Sequence, residues 1–312
     1  MHRPHEIRSV CLSAFFVVVC VTAAAQKSVS KATPAPGVIL GILEDIPAEY
    51  GEPDLRAVRA VFEKQGDEWL AFPSEAQNYQ DLATFPASYP QQVTWTIAFN
   101  GRSLGTVTAE TPPVFQAKSK VGVQEITSDD PVPVVGEKSQ AYSGFRITPV
   151  YRPLVALSQP NFSDPEMWRP AEAAPALAAS ARQLFNKRFP KTQNCTASDD
   201  KPKPSSYSDE DIKVIHTYAS NKGWSLIELS LSGWACDTIA EYGGPFDGQW
   251  YAAGPSGNLS FLGADMVLVD EGDYDSDGSS ELVFSINGYN TAGYRLYYSN
   301  FTKSAEFLFY YR

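Results

Sequence analysis

The sequence predicts an all-β protein with one helical insertion. Three observations carry that expectation. Short runs alternate apolar and polar residues. Gly-bearing turns recur about every 8 to 12 residues, as they do in sandwiches, barrels and propellers. One stretch alone, Ala176 to Phe189, carries an apolar stripe at helical spacing. About 16 strands can be read, which fits a β-propeller-like array of antiparallel hairpins with about four blades of four strands and an irregular fifth. The alternative arrangement is two β-sandwich or β-barrel domains joined by the helix.

Residues 1–25 read as a secretory signal peptide. Arg3 and Arg8 make its charged start, Val10 to Val21 its apolar core, and Ala23-Ala24-Ala25 its small-residue cleavage site. The expected localisation is secreted or periplasmic. Residues 26–37 (QKSVSKATPAPG) form a polar, Pro-containing linker. An N-terminal β region covers 38–160. There Arg56 to Phe62 and Glu68 to Phe72 face each other across Lys64-Gln-Gly-Asp67. Val93 to Phe99 places Val93, Trp95, Ile97 and Phe99 on one face, and Asn100-Gly101 turns the chain into Arg102 to Ala109. Val121 to Thr127 and Phe145 to Ser158 add further strands, broken by prolines.

Residues 161–210 are a helix-containing connection. Leu177, Leu184 and Phe185 lie on one side of its helix and Arg182, Lys187 and Arg188 on the other. A C-terminal β region covers 211–312. Ile212 to Ala219 meets Ser225 to Leu231, Gln249 to Ala253 meets Leu259 to Leu262, and Gly293 to Ser299 with Glu306 to Tyr311 end the chain.

The net charge is −11, and loss of Arg3, Arg8 and Glu6 with the leader makes the remainder one charge more negative. Such a surface disfavours nucleic acid and anionic membranes. No other apolar run is long enough for a membrane span. Beyond the leader only Cys195 and Cys236 remain. In an oxidising compartment they are expected to form one disulfide, closing a loop of about 40 residues worth up to roughly 4 kcal/mol. Four N-x-S/T sequons, at Asn161, Asn194, Asn258 and Asn300, match what chance supplies.

Several chemistries lack their residues. His216 is the single histidine past the leader, on a strand face shared with Val214 and Tyr218. There is no G-x-S-x-G, no H-E-x-x-H and no Gly-rich phosphate loop. Paired carboxylates, which cleave glycosides without histidine, stay open. Glu44, Asp45, Glu68, Asp237 and Asp247 lie near strand ends, and no pair among them is singled out. Trp234, Tyr242, Trp250, Tyr251, Tyr289, Tyr294, Tyr297 and Tyr298 crowd the last third, as strand core or as contact area for a ligand.

The most informative stretch is Asp273-Tyr-Asp275-Ser-Asp277-Gly278-Ser-Ser-Glu281. Acids stand at loop positions 1, 3, 5 and 9 with Gly at position 6, the spacing by which a tight loop wraps oxygens around Ca²⁺. An EF-hand needs a bidentate Glu at position 12, where this chain has Phe284, and its flanks read as strands. Met266 to Val269 precedes the loop and Leu282 to Ile286 follows it. Over residues 264–298 the chain resembles the calcium loops of FG-GAP and VCBS-type, integrin-alpha-like β-propeller blades. The resemblance implies side-chain ligands from Asp273, Asp275 and Asp277, the backbone carbonyl of Ser279, and Glu281 closing the site directly or through water. Members of that family carry such loops in tandem, whereas this chain has one. The expected function is a calcium-stabilised binding or structural module with a carbohydrate or extracellular protein as partner. The alternative is a secreted carbohydrate-active hydrolase using paired carboxylates.

Overall fold

The structure is a computed structural model that describes residues 37–46, 55–143, 146–190, 192–194, 203–205, 207–231, 248–288 and 290–310. The chain is mostly β. Its first half comprises β1 (Ile39–Ile46), β2 (Leu55–Gln65), β3 (Glu68–Ala71), α1 (Tyr79–Thr84), β4 (Gln92–Phe99), β5 (Arg102–Glu110), β6 (Val123–Ile126), β7 (Ser139–Ser143), β8 (Arg146–Val150) and β9 (Leu154–Leu157). The strand order is β1-β9-β4-β5-β6-β2-β3, and β1 also pairs with β2. Six of these strands therefore close into a barrel, with β3 as an outer flap and β7–β8 as a separate ribbon.

Side chains from non-neighbouring strands meet inside the barrel. Trp95 of β4 donates its indole N–H to Gln124 of β6 at 2.9 Å, and Gln124 donates to Thr111 Oγ1 at 2.8 Å and to the Pro90 carbonyl at 2.7 Å. Gly41 of β1 makes room for the indole, since a Cβ there would stand 3.1 Å from the Trp95 ring and 2.9 Å from Val58. Trp95 and Gln124 are fully buried, so this polar chain has its partners within the protein.

The second half adds β10 (Arg169–Pro170), α2 (Pro175–Arg188), β11 (Thr192–Asn194), β12 (Lys203–Ser205), β13 (Lys213–Ala219), β14 (Ser225–Ser230), β15 (Gln249–Ala253), β16 (Leu259–Gly263), β17 (Met266–Gly272), β18 (Glu281–Gly288), β19 (Thr291–Tyr298) and β20 (Lys303–Tyr310). Strands β10-β13-β14-β15-β16 form a five-stranded sheet and β17-β18-β19-β20 a four-stranded meander. Much of the meander is buried on both faces. Leu268, Leu282, Phe284 and Tyr297 pack with Leu226, Trp250 and Ala252 of the five-stranded sheet. The alternate residues Val269, Val283, Tyr294, Leu296, Tyr298, Phe307 and Phe309 pack into the barrel's apolar core. Successive strand residues point to opposite faces, so a continuous apolar run such as Leu282-Val-Phe284 suits a sheet covered on both sides. Helix α2 covers the outer face of the five-stranded sheet. Its Ala178, Ala181 and Phe185 meet Ile227, Leu229 and Tyr251. Pro175 opens this helix, and Lys187 and Arg188 lie in its last turn, where positive charge suits the dipole.

The layers thus run barrel, meander, five-stranded sheet, helix. This corrects the expected propeller. Propeller blades repeat radially about a channel, whereas here one sheet closes on itself and the others stack face to face. Turn spacing is common to all meanders and carries no information on strand order. The barrel of the alternative arrangement is present, but barrel and meander share one core. Smaller differences are local. The expected strand Phe145 to Ser158 is split at 151–153, where Pro153 cannot donate to a ladder. Helix α1 was not expected. Asn78 caps it, accepting from Gln80 and Asp81, and Asp81 returns the bond in a capping box. Among the described residues no helix is long and apolar enough to cross a membrane.

Candidate metal centre

Strands β17 and β18 pair as far as Gly272 and Glu281, so the acidic loop spans only residues 273–280. Its shape comes from its own carboxylates. Asp273 Oδ2 accepts the Gly278 N–H at 2.9 Å, Asp275 Oδ1 the Asp277 N–H at 3.1 Å, Asp277 Oδ1 the Ser279 N–H at 2.8 Å, and Glu281 Oε2 the Tyr274 N–H at 2.8 Å. Short acidic side chains bonding to backbone two or more residues on are turn formers. Gly278 takes φ +90°, where a Cβ would be strained.

Each of these acids ties one oxygen to backbone; Asp273 leaves its second, Oδ1, without a partner, whereas Asp275 gives its second, Oδ2, to Lys64. Carboxylate oxygens of Asp273, Asp275 and Glu281 all lie within 4.8 Å of one another. Ca²⁺–oxygen distances are about 2.3 to 2.6 Å, so ligands on opposite sides of one ion stand about 4.6 to 5.2 Å apart. The cluster therefore has the dimension of one hard-cation shell. Asp273 is 4% exposed, and its Oδ1 is buried without a hydrogen-bond partner. Burial pushes the Asp273 carboxyl up to about 6, with the neighbouring Asp275 charge adding to the rise. Burial pushes Glu281 up to about 9, again helped by Asp275. Carboxyls held so far above their ordinary range in a dry pocket are relieved by a proton or a cation. The residues fit a metal ion of the oxygen-seeking class. Asp277 stands exposed beside this cluster.

Neighbouring layers converge on the loop. From β2, Lys64 Nζ makes an ion pair with Asp275. From the β13–β14 turn, Lys222 Nζ donates to the Gly278 carbonyl and lies 3.3 Å from Glu166. Glu166 Oε1 accepts the Ser280 N–H at 3.2 Å, and Trp168 donates its indole N–H to Ser280 Oγ at 2.9 Å. Beneath lie more buried acids, Asp164, Asp270 and Glu271. Asp270 Oδ1 accepts the Asn100 N–H at 3.0 Å. Burial raises Asp164, Asp270 and Glu271, and the Asp270 charge raises Glu271 further. Glu166 Oε2 lacks a hydrogen-bond partner among the described residues, and the Tyr274 hydroxyl lies beside the Asp270 carboxyl. Sequence reading missed these acids. The pair Asp270-Glu271, set in an otherwise apolar strand, was the available signal. Asp164 and Glu166 come from a connection with no pattern of its own.

The other candidates separate cleanly. Glu44 accepts from Arg59 Nε at 2.6 Å and from the Tyr294 hydroxyl, Asp45 pairs with Arg56 at 2.6 Å, and Glu68 accepts from Tyr298 at 2.6 Å and pairs with Lys303. All three are structural anchors. His216 shares its strand face with Tyr218 as expected, their ring centroids 6.4 Å apart, but the side chain is 58% exposed rather than half-buried, and Nδ1 lies 2.6 Å from Glu228. Trp250, Tyr251, Tyr294, Tyr297 and Tyr298 are core. Cys195, Cys236, Trp234, Tyr242, Tyr289, Asp237, Asp247 and the leader lie outside the described residues.

Fold and site together define a layered β-protein, built on a closed barrel, with an acidic interstrand loop able to hold a cation. Comparison with protein-family models, with curated proteins and with solved structures finds no match to this chain.

Proposed function

We propose that the protein is an exported, calcium-stabilised β-module that binds or supports another molecule, a carbohydrate or an extracellular protein. The observation that carries this reading is the convergence of Asp273, Asp275 and Glu281 within 4.8 Å, with a buried, unpartnered Asp273 oxygen. These three residues would hold the ion directly. The FG-GAP/VCBS-type resemblance adds Asp277 and the Ser279 carbonyl. The ion would supply positive charge that lets buried carboxylates ionise in a loop tied to β2, to the β13–β14 turn and to residues 164–168. A metal there stabilises the junction of the layers. The leader-like residues 1–25 support export, and in that compartment a Cys195–Cys236 disulfide follows.

The test is thermal unfolding of the protein in calcium and in chelator, with metal content measured directly. Calcium at a hundredfold excess over Kd should add about 2.7 kcal/mol. Asp275→Ala should remove the difference between the two conditions. Superimposable melting curves for the unsubstituted protein would refute the reading.

A further inference from the structure

Three turns border one groove. Trp224 closes the β13–β14 turn, 255–258 form the β15–β16 turn, and 299–302 the β19–β20 turn. Between them lies a groove of about 540 Å³, walled by Trp224, Pro255, Ser256, Asn258, Asn300 and Thr302. Its composition is unusual for this molecule. A fifth of the chain is charged, yet none of the described side chains that line the groove is charged. The wall offers one aromatic ring, flanking apolar surface and neutral amides and hydroxyls. Asn258 and Asn300 are exposed, and their amides make no hydrogen bond with the described residues. Amides that both donate and accept, beside a flat apolar ring, match a sugar, which shows hydroxyls at its rim and C–H groups on its face. The described wall offers a charged ligand no counter-charge.

The groove wall is tied to the acidic loop by two routes. Phe301, between Asn300 and Thr302, packs edge-on against Trp224 with centroids 4.9 Å apart. Phe301 also packs on Trp168 at 6.2 Å, and Trp168 holds Ser280 of the loop. Separately, Ser220 Oγ accepts the N–H groups of Lys222 and Trp224, each at 3.2 Å, and Lys222 reaches Gly278. We propose that this groove binds a neutral saccharide, and that the loop, once it holds its ion, fixes the Trp224 wall. The second half rests on the calcium site proposed above; the first stands on the groove alone.

The experiment uses full-length protein from a host that adds no N-glycan, so that both amides are free. Saturation-transfer NMR would probe cellobiose, maltose, lactose and N,N′-diacetylchitobiose, with sialyllactose as the anionic control, in calcium and in chelator. At least one neutral sugar should bind, and the anionic control should not exceed it. Trp224→Ala should weaken binding at least tenfold, while Trp224→Phe keeps most of it. Asn258→Ala with Asn300→Ala, both on exposed turns, should weaken it at least fivefold with an unchanged melting temperature. No neutral sugar bound, or binding indifferent to all these substitutions, overturns the saccharide site. Chelator should weaken sugar binding severalfold. Chelator that lowers the melting temperature yet leaves sugar binding intact overturns the coupling while the calcium site stands. Chelator that changes neither overturns the calcium site and the coupling together.

Discussion

Single residues in this protein are held by partners far away in the chain, and that decides what they do. Lys64 reaches Asp275, the very carboxylate a metal ion would share, and its ammonium also lies 5.4 Å from the Trp69 ring. Ammonium and ion compete for one oxygen. Lys64→Met should therefore tighten calcium binding by roughly 5- to 10-fold, the equivalent of about 1 to 1.4 kcal/mol, as read by isothermal titration calorimetry. Weaker binding would mean that Lys64 shapes the loop rather than competing for it. Arg59 is the opposite case. Its side chain is 2% exposed, grips Glu44 and the carbonyls of Val121 and Ser119, and stacks 3.9 Å above the centroid of Phe309. Arg59→Met leaves a half-buried carboxylate and two carbonyls without that cation. It should cost about 3 to 5 kcal/mol in urea unfolding, and a loss under 1 kcal/mol would contradict it. None of this was legible beforehand. Glu44 and Tyr294 are separated by 250 positions, so a strand-end glutamate looked as free to be catalytic as to be an anchor.

At the level of elements, local chemistry was legible and pairing was not. Asn100-Gly101 announced a two-residue hairpin, and both residues do adopt positive φ, +48° and +69°. The helix read from Ala176 runs from Pro175 to Arg188. The acidic loop was legible because its acids lie close together in the sequence and its Gly is required by φ +90° at Gly278. Helix α1 escaped because its six residues are too few to show a stripe, although its capping box is explicit. The hairpin turn also has a tertiary task that its sequence conceals. Asn100 N–H binds Asp270, the Gly101 carbonyl accepts the Asp164 N–H at 3.1 Å, and a Cβ on Gly101 would stand 3.2 Å from Asp164 Cβ. Gly101→Val combines a left-handed β-branched residue with that clash. It should destabilise by about 1 to 3 kcal/mol in denaturant unfolding. It should also weaken calcium binding, because Asp164 sits under the loop. A variant as stable as the parent would show that the turn tolerates side chains and that the contact is not tight.

Across the whole molecule, the layers explain why acids can be buried here at all. The meander carries apolar residues on both faces, so the base of its loop is enclosed and Asp273 and Glu281 are buried, while Asp277 at the tip stays exposed. Sequence alone could place turns, but it read about 16 strands where the described residues form 20. It could not reveal that β9 inserts between β1 and β4, because strand order is written in long-range packing and not in spacing. The enclosure has a consequence for pH. Asp273 rises to about 6 and Glu281 to about 9 in the metal-free fold, by burial first and by the Asp275 charge second. In the unfolded chain such groups titrate near about 4. The folded form then holds more protons than the unfolded form between these limits. Stability in chelator must fall as pH rises, first from about 4 through 6 with Asp273, then on towards about 9 with Glu281. Calcium reverses the dependence, since it binds the ionised carboxylates and displaces their protons. The calcium-induced gain in melting temperature should therefore be near zero at pH about 4 and grow steadily to pH about 9. Scanning calorimetry at pH steps across that range, with and without chelator, measures both curves. A gain that stays constant with pH would mean that these carboxylates are already ionised without the ion, and that the loop is not the dry, proton-holding site its burial describes.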